Sequence, residues 1–191
     1  PASWRHDNTV AGISDLVGNV NEWVLGLRLN AGEIQIIPNN NAASPTADHG
    51  ASSSQWKAML KDGSLVAPGT ALTLKYDAST SGGVGAPVLN TSITNAYPET
   101  DETSTSASAQ FNTLAAASGV TAPALAKLLH LFPDSSAPSV GRLYVRNARE
   151  RMAMRGGNYT NGANAGLFAL SLNSLPTNGT GGIGFPPAFY L

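Results

Sequence analysis

The last part of the chain, from residue 156 to residue 191, contains no Asp, Glu, Lys, Arg or His. It is built from Gly, Asn, Ser and Thr with scattered aromatic residues. Such a segment cannot form an ordinary charged surface, and it lacks most of the groups that enzymes use for proton transfer. Asn, Ser and Gly offer adaptable hydrogen bonds, and Tyr and Phe offer rigid contact area, as on recognition surfaces. The composition therefore favours binding over catalysis.

The whole chain has 191 residues, of which 42% are hydrophobic and only 12% are charged, with a formal net charge of −1. This length predicts a single domain over residues 1–191 with a substantial core. The small net charge argues against nucleic acid or an anionic membrane as a partner, and no apolar run reaches the roughly 20 residues of a membrane span. The absence of cysteine excludes disulfides, thiolate metal sites and a thiol nucleophile.

Hydrophobic spacing predicts several short strands and two helical segments. Strands are expected within 26–37, at 72–76 and at 143–145. A helical turn is expected at 54–60, and the strongest helix is expected at 121–132. The expected cap, first-turn and apolar-face residues of that helix are Thr121, Pro123, Leu125, Leu128, Leu129 and Phe132.

Residues 77–118 are rich in Ser, Thr, Ala, Gly and Asn, with an acidic patch at 99–102. We expect an insertion here, partly ordered, with one short helix near 108–117. Five arginines follow within 142–155. They form either a nucleic-acid patch or a set of side chains that pair with the acidic insertion and with loop carbonyls. The nearly neutral net charge favours the second interpretation.

The most specific string in the chain is GISDLVGNVNEWV at 12–24. It predicts a tight turn at 18–19 followed by a strand that buries Trp23. Asn19 and Glu22 also offer oxygen donors that suit a hard cation such as calcium. We expect no cofactor, with calcium at these two residues as the open alternative.

This string resembles the Asp-hydrophobic-x-Gly-Asn-Val-x-Glu-Trp signature of the formylglycine-generating enzyme/sulfatase-modifying-factor superfamily. A second signature of that superfamily, Arg-Gly-Gly-Ser/Asn followed downstream by Gly-Phe-Arg, is similar to 155–158 and 184–185. Pro186 replaces the usual Arg. In the superfamily the first string lies well inside the domain, so strands upstream of Pro1 are either absent here or supplied by another arrangement.

The resemblance implies an α+β, C-type lectin-like fold: a small twisted antiparallel sheet with flanking helices and long loops. It does not imply the oxidase activity of the superfamily, because that activity needs active-site cysteines and this chain has none. We therefore expect a protein that is not an enzyme.

Residues 155–185 resemble the variable regions of diversity-generating retroelement proteins, with the pattern RGGN-aromatic-x-NG and a downstream IGF. In that family a reverse transcriptase randomises template adenines, so Asn codons are the usual source of diversity. The positions that the resemblance implies to be variable, solvent-facing and ligand-binding are Tyr159, Thr160, Asn161, Asn164, Phe168, Ser171, Asn173, Ser174, Asn178, Thr180, Gly181 and Gly182. The implied scaffold positions are Gly156, Gly157, Gly166, Leu167, Leu170, Leu172, Ile183 and Phe185.

These features together predict a non-enzymatic ligand- or receptor-binding protein. The resemblance implies a place in a phage virion, as a tail protein, or on a bacterial surface. The implied partner is a host-surface protein or glycan receptor, and a homo-trimer is compatible with a tail protein. The alternatives are a structural virion domain without a variable ligand site and a metal-dependent oxidase of the formylglycine-generating type.

Overall fold

The computed structural model describes residues 9–11, 17–102, 105–134 and 141–184. These residues form a twelve-stranded, mostly antiparallel sheet and one short α-helix, α1 (Ala124–Leu128). Within the described ranges no helix is long and apolar enough to cross a bilayer. The strands are β1 (Asn21–Asn30), β2 (Glu33–Ile36), β3 (Lys57–Met59), β4 (Leu65–Val66), β5 (Lys75–Thr80), β6 (Val84–Asn90), β7 (Ala107–Gln110), β8 (Ala115–Ala116), β9 (Arg142–Val145), β10 (Glu150–Gly156), β11 (Gly166–Ser174) and β12 (Ile183–Gly184).

The main path through the sheet runs β7-β9-β11-β10-β1-β2-β5-β6-β8, with β12 beside β1 and with β3 joining β2 to β4. Three pairs are parallel, namely β1–β12, β9–β11 and β6–β8. Strand β1 therefore lies at the centre, between strands from the second half of the chain and its own hairpin partner β2. The expected sheet is present. The expected set of flanking helices is reduced, in the described part of the chain, to α1 and short 3-10 turns.

The hydrophobic core covers one face of the sheet. The fully buried aliphatic side chains at its centre are Leu29, Ile34, Met59, Leu74, Leu143 and Leu172. The other face of β1 and β2 is buried as well, because Arg28 and Gln35 are only 3% and 0% exposed. The Nε of Arg28 donates to Oε1 of Gln35 (2.8 Å), and its guanidinium lies 4.2 Å from the ring centroid of Trp56. The strands predicted within 26–37 are confirmed, but they are buried on both faces.

The helical turn predicted at 54–60 is wrong, since these residues include β3. Pairing with β2 and β4 outweighs the modest helix preference of so short a segment. Trp56 precedes β3, is fully buried, and donates from Nε1 to the carbonyl of Gly50 (3.1 Å). Trp23, which was expected to be buried, is only half-buried.

The helix predicted at 121–132 is much shorter than expected. Pro123, and not Thr121, is its N-cap residue. The chain leaves the helix through His130, whose φ is 52°, and the N–H of Leu131 donates to the carbonyl of Ala126 (2.8 Å). This is a Schellman termination, and it turns Leu128 into solvent instead of into the apolar face.

The described residues of 77–118 form regular strands, whereas only partial order was expected there. The residues predicted as a helix near 108–117 form the end of β7, a 3-10 turn and β8. In β7, Ala107 and Ala109 are buried while Ser108 and Gln110 are half-buried. This is a strand alternation with a period of two residues, built from residues too small to be conspicuous in the sequence.

Three of the five arginines of 142–155 pair with the acidic segment, as the second interpretation predicted. Glu102 accepts hydrogen bonds from Arg151 (2.6 and 2.9 Å), Arg146 (3.0 Å) and Arg149 (3.2 Å). The hydrogen bond from Arg151, aided by the charges of all three arginines, lowers the pKa of Glu102. Arg142 instead donates to the hydroxyl of Ser108 (3.0 Å). These intramolecular hydrogen bonds engage four of the five arginines.

Candidate functional site

A polar depression of about 280 Å³ lies on the face of the sheet opposite the core. Its floor includes three register neighbours on adjacent strands: Tyr144 on β9, Ser171 on β11 and Met154 on β10. The adjacent residues Leu143 and Leu170 belong to the core, because successive strand residues point to opposite faces. The described residues that line the depression are Asn21, Tyr144, Met154, Asn158, Asn161, Ser171, Asn173, Ser174, Asn178, Thr180 and Ile183.

The loop between β10 and β11 forms one wall and is held by its own side chains. The N–H of Asn158 donates to Oδ1 of Asn161 (2.7 Å), while the N–H and hydroxyl of Thr160 donate to Oδ1 of Asn158 (3.0 and 2.7 Å). The N–H of Tyr159 donates to the carbonyl of Asn19 (3.0 Å), which ties the loop to the turn before β1. A loop ordered in this way loses less conformational entropy when it binds a ligand.

The segment between β11 and β12 forms the opposite wall. The N–H of Asn178 donates to the carbonyl of Leu175 (3.0 Å), and the N–H of Asn21 donates to the carbonyl of Gly182 (2.7 Å). A Cβ atom added to Gly182 would lie 2.7 Å from Nδ2 of Asn158. Gly182 is buried because the two walls meet there, so the expectation that it faces solvent is wrong.

The structure brings half of the predicted ligand-binding positions together around the depression. Tyr159, Thr160 and Gly181 are exposed on the two bordering segments, and the Tyr159 side chain is 72% exposed. Asn164 is half-buried, and its Oδ1 accepts a hydrogen bond from Nε2 of Gln110 (3.0 Å). The predicted positions that line the depression are Asn161, Ser171, Asn173, Ser174, Asn178 and Thr180.

The deepest polar groups of the depression belong to β11. The hydroxyls of Ser171 and Ser174 donate to Oδ1 of Asn173 (2.6 and 3.4 Å). Both serines are buried, which corrects the expectation that they face solvent. A ligand would reach these hydroxyls only by entering the depression.

Two further placements predicted from the sequence are wrong. Phe168, expected to face solvent, is half-buried against the core; its ring stacks on Phe111 (centroids 5.3 Å apart) and meets the edge of His130 (4.9 Å). Leu167, expected as scaffold, is 61% exposed. Alternate residues of a strand point to the same face, so Phe168 lies on the core face with buried Leu170. Leu167 and Phe168 had been expected on the opposite faces.

The other scaffold predictions can be compared with burial. Ile183 is half-buried, and Phe185 lies outside the described residues. The scaffold positions that are buried as predicted are Gly156, Gly157, Gly166, Leu170 and Leu172.

Sequence reasoning missed several residues that line the depression. Tyr144 could have been found from strand alternation, because it lies between two buried neighbours and so points to the opposite face. Met154 shares that face through its pairing with Ser171, which the local sequence does not reveal. Nothing in the sequence marked Asn21, since its place depends on the pairing of β1 with β12.

The two candidate calcium ligands lie near the entrance to β1. Asn19 is exposed, has a positive φ of 57°, and uses its backbone carbonyl to hold the loop of Tyr159. Glu22 is half-buried on β1, opposite Arg155. No group of three or more His, Cys, Asp or Glu side chains within the described ranges is arranged to hold a metal ion. A calcium site here remains a prediction that rests on these two donors.

The chemistry of the depression is that of amides and hydroxyls. Among the described residues that line it, none is an Asp, Glu, His, Lys or Arg. Half-buried Tyr144 supplies an aromatic surface on its floor, beside the buried Met154. Such a lining can accept and donate several neutral hydrogen bonds to a ligand.

Comparison with protein-family models found no match to this chain. A search of curated proteins found no significant sequence similarity. The resemblance to variable proteins therefore rests on the strings at 12–24 and 155–185.

Proposed function

We propose that this protein is a non-enzymatic ligand-binding protein whose site is the polar depression on the outer face of the sheet. The proposal rests on the clustering of predicted ligand-binding positions in one place on the structure. Six of the positions implied by the resemblance, spread from Asn161 to Thr180, line one depression formed by two loops and β11. A solvated Gly- and Asn-rich tail without a ligand gives no reason for this clustering.

In this proposal the ligand binds in the preorganised polar depression and also contacts aromatic side chains. Tyr159 stands exposed on the ordered loop, and Tyr144 lies on the floor. Aromatic anchors surrounded by neutral hydrogen-bonding groups suit either a protein surface or a glycan. The neutral lining implies that association depends little on salt, since long-range steering needs charge.

We further propose that the fold is C-type lectin-like and that the protein belongs with the variable proteins of diversity-generating retroelements. The sheet-rich architecture supports the first part only in a general way, and the motif strings support both. In this proposal the protein lies on a phage tail or a bacterial surface and binds a host protein or glycan. Several copies, for example a homo-trimer, would convert weak contacts into avidity.

The proposal is tested by sequencing the same locus in closely related genomes. We expect substitutions to concentrate at Tyr159, Asn161, Asn173, Asn178 and Thr180. The string 18–24 serves as the internal control and should remain nearly constant. Equal variation in the two segments would leave a structural virion domain as the better interpretation.

A display experiment tests binding directly. One library randomises five residues of the depression and its rim, and a second library of equal size randomises five exposed residues elsewhere. We expect binders to an immobilised protein or glycan panel from the first library and few from the second. Equal yields would contradict a dedicated site. The sets are Tyr159, Asn161, Asn173, Asn178 and Thr180 for the first library, and Thr46, Ser52, Lys61, Thr70 and Ser81 for the second.

A further inference from the structure

A second concavity lies on the other side of the sheet. Met154 faces the polar depression, and the next residue, Arg155, lines an apolar groove of about 470 Å³. The two sites are thus separated by the thickness of one strand. The groove lies between β1, the end of β2 and the end of α1, and its aliphatic walls include Val24, Leu27, Ile36, Leu65, Leu125 and Leu129.

Arg155 is the one ionic side chain among the described residues that line this groove. Its Nη2 donates to the carbonyl of Leu129 (2.9 Å), while its Nη1 is buried and has no hydrogen-bond partner. No ion pair within 4 Å joins Arg155 to an Asp or Glu among the described residues. The nearby Tyr76 hydroxyl donates to the carbonyl of Leu131. Arg155 as a whole is half-buried, but a buried Nη1 with two unused N–H groups, and with no counter-charge among the described residues, is costly and calls for a partner.

The groove combines this single cation with an aliphatic lining. We propose that it binds an unbranched alkyl carboxylate, with the carboxylate accepting from Nη1 of Arg155 and the alkyl chain lying against Val24, Ile36 and Leu125. Charge complementarity selects an anion, and a single guanidinium with no second cation in the described lining balances a monoanionic carboxylate better than a phosphate dianion. The absence of aromatic residues from the described lining favours an alkyl chain, and the volume lies within the usual range for small-molecule sites.

Arg155 also resists deprotonation at neutral pH. Burial lowers the pKa of its guanidinium, and the neighbouring Tyr76 opposes that change. Arginine nevertheless keeps its charge in proteins because its ordinary pKa is so high. The positive charge in the groove is therefore permanent under physiological conditions.

The test is isothermal titration of the full chain with decanoate and with decan-1-ol, below the concentration at which decanoate forms micelles. We expect saturable binding of decanoate at least tenfold tighter than that of decan-1-ol, because only decanoate satisfies Arg155. In the Arg155→Gln variant this preference should disappear. Equal affinity of the wild type for both probes, or no saturable decanoate binding, overturns the proposal.

Two further variants, Leu129→Glu and Leu128→Glu, test the proposal even if Arg155→Gln fails to fold. Leu129 lines the groove beside Arg155, whereas its neighbour Leu128 is 76% exposed and lies outside the lining. Leu129→Glu should lower decanoate affinity at least tenfold, because the new carboxylate competes for the guanidinium. Leu128→Glu adds the same charge and should change the affinity less than twofold. Equal losses in both variants would mean non-specific repulsion and would overturn the proposal. The groove is separate from the depression, so neither result bears on the proposed ligand site.

Discussion

Buried polar side chains link β1, β2 and β10 on the face away from the core. Gln35 accepts from Arg28 through Oε1 and donates through Nε2 to Glu33 (2.6 Å). Glu33 also accepts from the hydroxyl of Thr73 (2.6 Å), and Arg28 pairs with Glu150. Gln35 is therefore the neutral residue that separates two buried charges while hydrogen-bonding to both.

Gln35→Leu should destabilise the protein by about 2–4 kcal/mol, because one contact is lost at each of two buried charged groups. Urea unfolding followed by tryptophan fluorescence would measure the change. The same substitution at Gln55, whose side chain makes only surface hydrogen bonds, is the matched control and should cost less than about 1 kcal/mol. Similar losses in the two variants would show that the buried chain contributes little.

Glu102 provides a pH-dependent contribution to stability. Its lowered pKa means that the folded state binds its proton less readily than the unfolded state. The stabilisation is therefore complete above the ordinary carboxyl pKa of about 4.3 and is lost as pH falls through the lowered pKa. Glu102→Gln should cost about 2 kcal/mol at pH 7, because fully buried Arg151 loses its counter-charge.

Thermal melts of wild type and Glu102→Gln from pH 7 to pH 3 would check this expectation. The difference in melting temperature should be largest near pH 7 and should shrink as the medium becomes more acidic. Glu99→Gln, at an exposed position of the same segment, should behave like the wild type throughout. A difference that grows toward low pH would contradict the assignment.

At the scale of elements, the loop between β10 and β11 depends on its glycine more than on its aromatic residue. Gly157 has a φ of 77°, and an added Cβ would lie 2.8 Å from Cα of Ala165. Gly157→Ala should therefore destabilise the protein by about 1–3 kcal/mol. Gly179→Ala, which meets nothing within 4 Å, and Tyr159→Ala should each stay within about 0.5 kcal/mol. Denaturant midpoints would rank the three variants, and a Tyr159→Ala loss larger than that of Gly157→Ala would refute this account.

At the scale of strands and helices, some elements could be predicted from the sequence and others could not. Strands with large alternating residues, such as β9, were predicted correctly. Strand β7 was missed because its two faces carry alanine and serine, which are too small to give a clear hydrophobic alternation. Strand β3 was missed because its conformation depends on distant partners. Six residues of the depression were found through a pattern, whereas Asn21 reaches it only because β12 pairs with β1. Local sequence patterns indicate local structure, but they contain little information about which distant strands pair.

At the scale of the whole molecule, the central pairings join residues far apart in the chain. Arg28 on β1 meets Glu150 on β10 across 122 positions, and β1 pairs with β10 and β12 from the far end of the chain. Sheets dominated by such contacts fold slowly, in milliseconds to seconds. We expect stopped-flow refolding, followed by the fluorescence of buried Trp56, to fall in that range or slower.

Tyr159→Ala provides the control for this kinetic measurement, since an exposed loop side chain should leave the folding rate unchanged. Refolding complete within microseconds would contradict the expected dependence on long-range pairing. Gly157→Ala should mainly accelerate unfolding if the loop forms late in folding. The ratio of the two rate changes would place the loop in the folding sequence.

The adjacent residues Met154 and Arg155 have a consequence for how this protein can evolve. Each side chain faces a different concavity only because β10 keeps its register, and a shift of one residue would exchange the two. The strand can therefore accept a change in the identity of a residue far more easily than a change in the number of residues. Base substitutions, which leave the number of codons unchanged, are therefore compatible with this scaffold. Insertion or deletion of a codon within β10 would disrupt it.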